Sequence, residues 1–300
     1  MKILLLGKNG QVGWELQRSL ALLGEVIALD FDSPGPLKAD FSVPESLAAT
    51  VRAVAPKIIV NAAAHTAVDR CESEPERARA INAEAPAMLA RAAREHGATL
   101  VHYSTDYVFD GSGSVPWRER DATGPLSVYG ATKLAGEEAI RDSGCVHLVL
   151  RTSWVHSARG GNFARTMLRL GGERDALSVV ADQVGAPTSA ELLADTTATM
   201  LRKLQQEPGL AGTYHVAAAG ECSWYDYARH VFAYARAHGR ALKVTPESVS
   251  PIASSAYPTP AKRPANSRLD TTKARAAFDL VFPPWQAGVE RSVAEMLDQK

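Results

Sequence analysis

Cysteine is scarce in this chain. Only Cys71, Cys145 and Cys222 occur, widely separated and odd in number. Such a set excludes a disulfide-framed scaffold, shows no metal-type spacing, and suits a reducing compartment. Net charge is lacking too, because 33 basic residues balance 33 acidic ones. A neutral chain has no electrostatic reason to seek nucleic acid or an anionic membrane. No apolar run is long enough to span a bilayer. Met1-Lys2 leads straight into a strand pattern, without the layout of a signal peptide. Internal repeats and low-complexity tails are also missing. The expectation is a cytoplasmic globular protein that handles a small molecule and binds neither nucleic acid nor membrane. Its 300 residues allow one large domain or two small ones.

What is present is a regular alternation. Apolar strands are expected at "KILLLG" (2–7), "EVIALD" (25–30), "KIIVNAAA" (57–64), "ATLVHYST" (98–105) and "CVHLVLRTS" (145–153). Between them lie helical patterns: "QVGWELQRSLALLG", "PESLAATVRAVAP", one long helix over "EPERARAINAEAPAMLARAAREHG", and the stretch from Tyr129. Continuous apolar strands alternating with amphipathic helices predict a parallel sheet covered on both faces, hence a doubly wound, Rossmann-type α/β fold. Residues 1–155 are expected to form the dinucleotide-binding domain. After about residue 155 the rhythm loosens: "GNFARTMLRL", "AELLADTTATMLRKL" and "SWYDYARHVFAYARAHG" read as helices and "GTYHVAA" as a strand. Residues 156–300 are expected to form a smaller, mainly substrate-binding α/β region, interleaved with the first. The stretch "SVSPIASSAYPTPAKRPANSRLD" should be irregular. It reads as a plain linker or, through Arg263, Asn266 and Arg268, as a grip for an anion. Lys262, Arg263 and Arg268 also form a basic cluster suited to a nucleotide diphosphate.

"GKNGQVG" places Gly7, Gly10 and Gly13 directly after the first strand and at the start of the first helix. Glycines there allow a tight turn and the close approach of a pyrophosphate, and the helix N-terminus presents free N–H groups. Asp30 ends the second strand about twenty residues on, where an acid binds the adenosine ribose of NAD in preference to NADP. The alternative is an ordinary strand-end aspartate. Asp40-Phe41 is placed to flank the adenine, and "NAAAHT" (61–66) has the small residues needed where a backbone passes a cofactor.

The fourth strand ends in Ser104, Thr105 and Asp106, at the edge where such sheets bind ligands. "SVYGATKLAGEEAI" (127–140) follows, with Tyr129 and Lys133 one turn apart on one helix face. Reduction of a carbonyl needs a proton on oxygen as hydride reaches carbon. A phenol, with a pKa near ~10, is a poor acid–base group at neutral pH. A nearby ammonium lowers that pKa. Lys133 can also reach the nicotinamide ribose, and Thr105 can hold the carbonyl oxygen.

With "GKNGQVGWELQ", "NAAAHTAVD", "YSTDYVFDG", "VYGATKLAGE", "RTSWV", "DQVGAPT" and "RPANSRL" in place, the chain resembles the extended short-chain dehydrogenase/reductase superfamily over nearly its whole length. The members it most resembles reduce the C4 ketone of dTDP-4-dehydro-L-rhamnose with NADPH and often accept NADH. The resemblance implies that Tyr129 is the proton donor, that Lys133 assists it, and that Thr105 and Asp106 contact the sugar. It implies a pyrophosphate lined by Gly10, Gln11 and Val12, and a cofactor otherwise lined by Asp30, Asp40, Phe41, Ala64, His65 and Thr66. Trp154 would pack against the substrate. Magnesium-linked homodimers are also implied, with Glu15, Glu191 and Glu295 as the matching acids; these have no metal-ligand spacing and read equally as solvated surface glutamates. Two rival functions remain at this level. One is a dehydratase or epimerase on the same fold; dehydration would need a second acid–base group, and where similar dehydratases carry a glutamate after Thr-Asp this chain has Tyr107. A non-catalytic subunit like the regulatory subunit of methionine adenosyltransferase would have no need of Thr105, Tyr129 and Lys133.

Overall fold

A computed structural model of the chain describes residues 1–298. In chain order its strands and helices are β1 (Lys2–Leu6), α1 (Gln11–Leu20), β2 (Glu25–Leu29), α2 (Pro44–Val54), β3 (Ile58–Asn61), α3 (Val68–Ser73), α4 (Pro75–Arg79), α5 (Ala85–His96), β4 (Thr99–Thr105), α6 (Val128–Ser143) and β5 (His147–Thr152). There follow β6 (Val155–His156), α7 (Phe163–Glu173), β7 (Leu177–Val180), β8 (Val184–Gly185), β9 (Thr188–Ser189), α8 (Ala190–Gln206), β10 (Gly212–His215), β11 (Cys222–Ser223), α9 (Trp224–Ala237), β12 (Val249–Ile252), α10 (Thr272–Phe278) and α11 (Trp285–Asp298).

Six strands form one parallel sheet in the order β10-β5-β4-β3-β1-β2. Successive residues of a strand point to opposite faces, and both faces here are buried, which is why the strands are uninterrupted apolar runs. Ile3 and Leu5 join the core under α1 and α8, while Leu4 and Leu6 join the core under α2 and α5. The strand order reverses between β1 and β3, so the crevice at their carboxyl ends is the expected ligand position. The later half of the chain is woven into this body. Leu193, Met200, Tyr214 and Phe278 pack into the same core as Ile3, and β10 adds the sheet's last strand. A third core, built on Met167, Tyr227, Phe232, Trp285 and Val289, holds α7, α9 and α11.

Two expectations need correction. The long helix read over 74–97 is interrupted by a turn of π-helix, Ala80–Glu84, between α4 and α5. The cause is Pro86, which has no N–H to give the carbonyl of Asn82 four residues earlier. That carbonyl turns toward α6, where a Cβ on Gly136 would lie 2.3 Å from it; only glycine fits there. The proline-rich stretch is not wholly irregular either. Val249–Ile252 pairs in parallel with β7, Pro251 being tolerated because the sheet has only two strands.

Candidate active site

The glycine loop is a close fit. Gly7 has φ +87°, and a Cβ there would meet the backbone of Ala63 at 2.7 Å. A Cβ on Gly13 would lie 1.9 Å from the Gly7 carbonyl oxygen. Gly10 caps α1 without any side-chain hydrogen bond to the first turn, and no acid sits in that turn. The helix start therefore offers N–H groups and positive potential to an anion. Asp30 is tied to this loop: its Oδ2 accepts from the Asn9 N–H at 3.0 Å and its Oδ1 from the Phe31 N–H at 2.8 Å. Asp40 accepts from the backbone and hydroxyl of Ser42. The Phe41 ring joins the core cluster of Leu47 and Val51, which anchors its loop.

The 61–66 loop is held by a residue that sequence reasoning missed. Asn82, aimed by the π-turn, accepts from the His65 N–H at 2.8 Å and donates to the His65 carbonyl at 3.1 Å. Pro86 behind an asparagine was its only sequence signal. Ala64 and His65 are half-buried, and Thr66 is exposed. His65 Nε2 lies 3.4 Å from Glu74. Gln11 was expected at the pyrophosphate; its Oε1 accepts from the Ser157 hydroxyl at 3.1 Å and from the Asn162 amide at 3.0 Å. Arg159 lies over the Trp14 ring, 3.6 Å from its centroid. The 157–162 loop thus closes against the start of α1, a contact that no local pattern announced. Val12 packs toward the core.

Thr105, Asp106 and Tyr129 meet at the end of β4. The Thr105 hydroxyl donates to Asp106 Oδ1 at 3.1 Å and is also hydrogen-bonded to the Tyr129 hydroxyl. Tyr129 lies in the first turn of α6, where Ser127 caps the helix by accepting from the Gly130 N–H. A Cβ on Gly130 would sit 2.2 Å from the Tyr107 carbonyl, so this glycine lets α6 press against the turn after β4. Tyr107 packs edge-on to Tyr129, with centroids 5.4 Å apart. Burial pushes the Tyr129 phenol above its ordinary pKa, opposed by the Thr105 bond. Asp106 is raised to about 6, first by burial and against its bonds to Ser267 and Thr105. Burial also raises Tyr107, to about 12.

Lys133 departs from expectation. Spacing predicts an ammonium beside the Tyr129 phenol, and β4 takes its head group. Its Nζ donates to the Tyr103 carbonyl at 2.6 Å and lies 3.0 Å from His102 Nε2. Spacing placed both side chains on one helix face, but β4 decides where the longer one ends. Burial lowers Lys133 to about 8, opposed by Glu137.

Trp154 has φ +49°, rare for a bulky residue. Its indole stacks on Trp224 at 3.7 Å, and a Cβ on Gly185 would approach it to 2.9 Å. Arg263 is close to the site, but its Nη2 donates to Asp69 Oδ2 at 2.8 Å, and it also bonds to Tyr107. Arg268 pairs with Glu221 at 2.7 Å. The basic cluster read from sequence is therefore largely neutralised by acids distant in the chain. Burial raises the Glu191 carboxyl on α8 above its ordinary pKa, and Glu295 on α11 and Glu15 on α1 add to the rise. Arg291 lies among them, 2.9 Å from Glu191 and 3.5 Å from Glu295. Among the described residues, no group of three or more His, Cys, Asp or Glu side chains could hold a metal ion. No helix among them is long and apolar enough to cross a membrane.

Comparison with known proteins gives this arrangement a context. The profile of the RmlD substrate binding domain matches residues 1–298. The chain is 56% identical over 296 residues to the dTDP-4-dehydrorhamnose reductase of Salmonella typhimurium, covering 99% of this chain and 98% of that protein. Among solved structures, it is similar to the dTDP-4-dehydrorhamnose reductase of Clostridium acetobutylicum (TM-score 0.88, 36% identity, 100% of both chains). It is also similar to the Bacillus anthracis enzyme of that name in complex with NADP (TM-score 0.86, 35% identity, 98% and 99% of the two chains).

Proposed function

The chain belongs to the RmlD substrate binding domain family, and on that premise we propose that it reduces the C4 ketone of dTDP-4-dehydro-L-rhamnose with NADPH, giving dTDP-L-rhamnose. The observation that carries this reading is the hydroxyl pair of Tyr129 and Thr105 at the end of β4, beside Asp106. NADPH, when bound, supplies the hydride. The rest falls to residues of this chain. The uncapped start of α1 and the loop of Gly7, Gly10 and Gly13 receive the pyrophosphate, and Asp30 stands at the ribose. Burial keeps the Tyr129 phenol protonated at neutral pH, so it has a proton to give the ketone oxygen as charge develops there. Thr105 turns its one hydroxyl proton from Asp106 to the same oxygen when the sugar binds. Asp106 and Trp154 line the sugar, and Arg263 serves its diphosphate.

Elimination chemistry is disfavoured, since the position after Asp106 holds Tyr107, whose hydroxyl bonds to Arg263. A purely binding role would leave the buried Thr105, Tyr129 and Lys133 without a task. Arg291 pairs with Glu191 and Glu295, and the reaction proposed here uses no magnesium. Within this proposal the protein works in the cytoplasm as a homodimer, which sedimentation velocity checks. The activity itself is tested by following NADPH absorbance with dTDP-4-dehydro-L-rhamnose, against other 4-keto nucleotide sugars. Oxidation selective for the rhamnose precursor is expected; none with that substrate sinks the proposal.

Asp30→Ala should shift cofactor choice. The carboxylate can accept hydrogen bonds from a free ribose but repels a 2′-phosphate. The KM for NADH is therefore expected to rise more than that for NADPH. An unchanged ratio removes Asp30 from the ribose. Arg263→Ala should raise the KM for the nucleotide sugar roughly ten-fold, about 1.5–3 kcal/mol for a charged hydrogen bond. NADPH affinity should hold. Because Arg263 is paired with Asp69, Asp69→Asn is the control and should leave that KM nearly unchanged.

A further inference from the structure

Behind Lys133 lies a row of buried polar groups that the reaction as described does not use. Asn61 at the end of β3 touches His102 on β4, and His102 touches Lys133 on α6, both contacts being 3.0 Å. All three side chains are almost wholly enclosed. The direction of each hydrogen bond follows from the end of the row. The Ala63 N–H donates to Asn61 Oδ1 at 3.0 Å, and an N–H can only donate. The amide orientation is thereby fixed, and its NH2 faces His102 Nδ1. Nδ1 must accept, so the proton of a neutral ring sits on Nε2. Enclosure keeps the ring neutral, by holding the His102 pKa well below its ordinary value.

Nε2–H then points at Lys133 Nζ. An ammonium only donates, and two donors at 3.0 Å repel. An amine presents a lone pair there while still donating to the Tyr103 carbonyl. We infer that His102, its tautomer set by Asn61, is a positioning residue that holds Lys133 as a neutral amine before cofactor binds, and that NADPH binding draws a proton onto Nζ as the side chain leaves His102 for the cofactor ribose. One proton passes from solvent to the Nζ lone pair, and no bond between heavy atoms changes. The inference rests on the cofactor reading above. The other groups facing Lys133 do not undo it. On α6 they are Tyr129, un-ionised, and Glu137, which is committed to Arg151 of β5 by two bonds of 2.9 and 2.6 Å. On β4, the Tyr103 hydroxyl is turned away to Thr197 of α8. The fall of Lys133 to about 8 agrees with a lysine poised to change charge.

The test is calorimetric titration of NADPH into the full chain at pH 8, in buffers of different ionisation enthalpy. The 2′-phosphate, with a pKa near ~6, and His65, lowered by burial, are both already deprotonated there. Net uptake of roughly half a proton or more is expected, and none in Lys133→Met. Nitrogen-15 spectra of histidine-labelled wild type should show the Nε2–H tautomer at His102. Asn61→Asp, of the same shape, accepts from Nδ1–H instead. It should move the ring proton to Nδ1, leave Lys133 an ammonium, and abolish the uptake. Tight NADPH binding without proton uptake, or an Nδ1–H ring in the wild type, overturns the inference while leaving the cofactor reading intact. Failure of NADPH to bind overturns both. The two wild-type measurements decide the matter even if Asn61→Asp does not fold.

Discussion

Tyr129→Phe is expected to lose about two to four orders of magnitude in kcat, the usual worth of general acid catalysis. The change removes one hydroxyl and almost no volume. The ring keeps its edge contact with Tyr107 and its place beside Cys71. Thr105 loses one partner but keeps Asp106, so the stability cost should stay near ~1 kcal/mol. Nothing in the glycine loop is touched, and NADPH should bind as before. The measurement is kcat at saturation with both ligands, beside a fluorescence titration of NADPH. Wild-type turnover in this variant would remove Tyr129 as the proton donor. Equal loss of cofactor affinity and kcat would point to general damage.

Glu137→Ala is expected to destabilise the fold by about 3–5 kcal/mol. Glu137 is fully buried on α6 and receives both the Nε and Nη2 of Arg151, itself 2% exposed on β5. Removing the carboxylate leaves a guanidinium in the interior, with the Phe109 ring and the Glu119 carbonyl, 3.4 Å from Nη1, as remaining favourable neighbours. Because the ion pair itself contributes little beyond a well-packed apolar pair, replacing both residues by methionine should recover most of the loss. Denaturant midpoints of the two single variants and the double variant check this. A double variant as unstable as the sum of the singles would mean that the pair, and not the stranded charge, sustains the fold. Lys133 should also fall further in pKa in Glu137→Ala, since Glu137 is the group that raises it.

The sheet was legible because parallel strands enclosed on both faces must be apolar throughout, and "KILLL" or "IIVN" has no other reading at that length. The glycine loop was legible for a related reason: Gly7 and Gly13 each answer a steric demand. The helix over 74–97 was read as unbroken because periodicity hides a π-turn, although Pro86 marked it. The partners of Arg263 and Arg268 could not be read. Asp69 lies 194 residues from Arg263, and Glu221 lies 47 residues from Arg268, distances at which no pattern pairs charges. Lys133 shows the same limit at the reaction centre. Its spacing from Tyr129 is a helix property, but its direction is set by His102 and the Tyr103 carbonyl on a neighbouring strand. The 157–162 loop reaches Gln11 only after β2, β3, β4 and β5 have been wound between them.

The most direct test of the reduction follows the hydride. NADPH deuterated at C4 of the nicotinamide, on the transferred face, is incubated with the protein and dTDP-4-dehydro-L-rhamnose. The sugar product is then examined by proton and deuterium NMR. The account predicts dTDP-L-rhamnose carrying one deuterium at C4 and none elsewhere on the ring. Unlabelled product, label at another carbon, or the C4 epimer would contradict it.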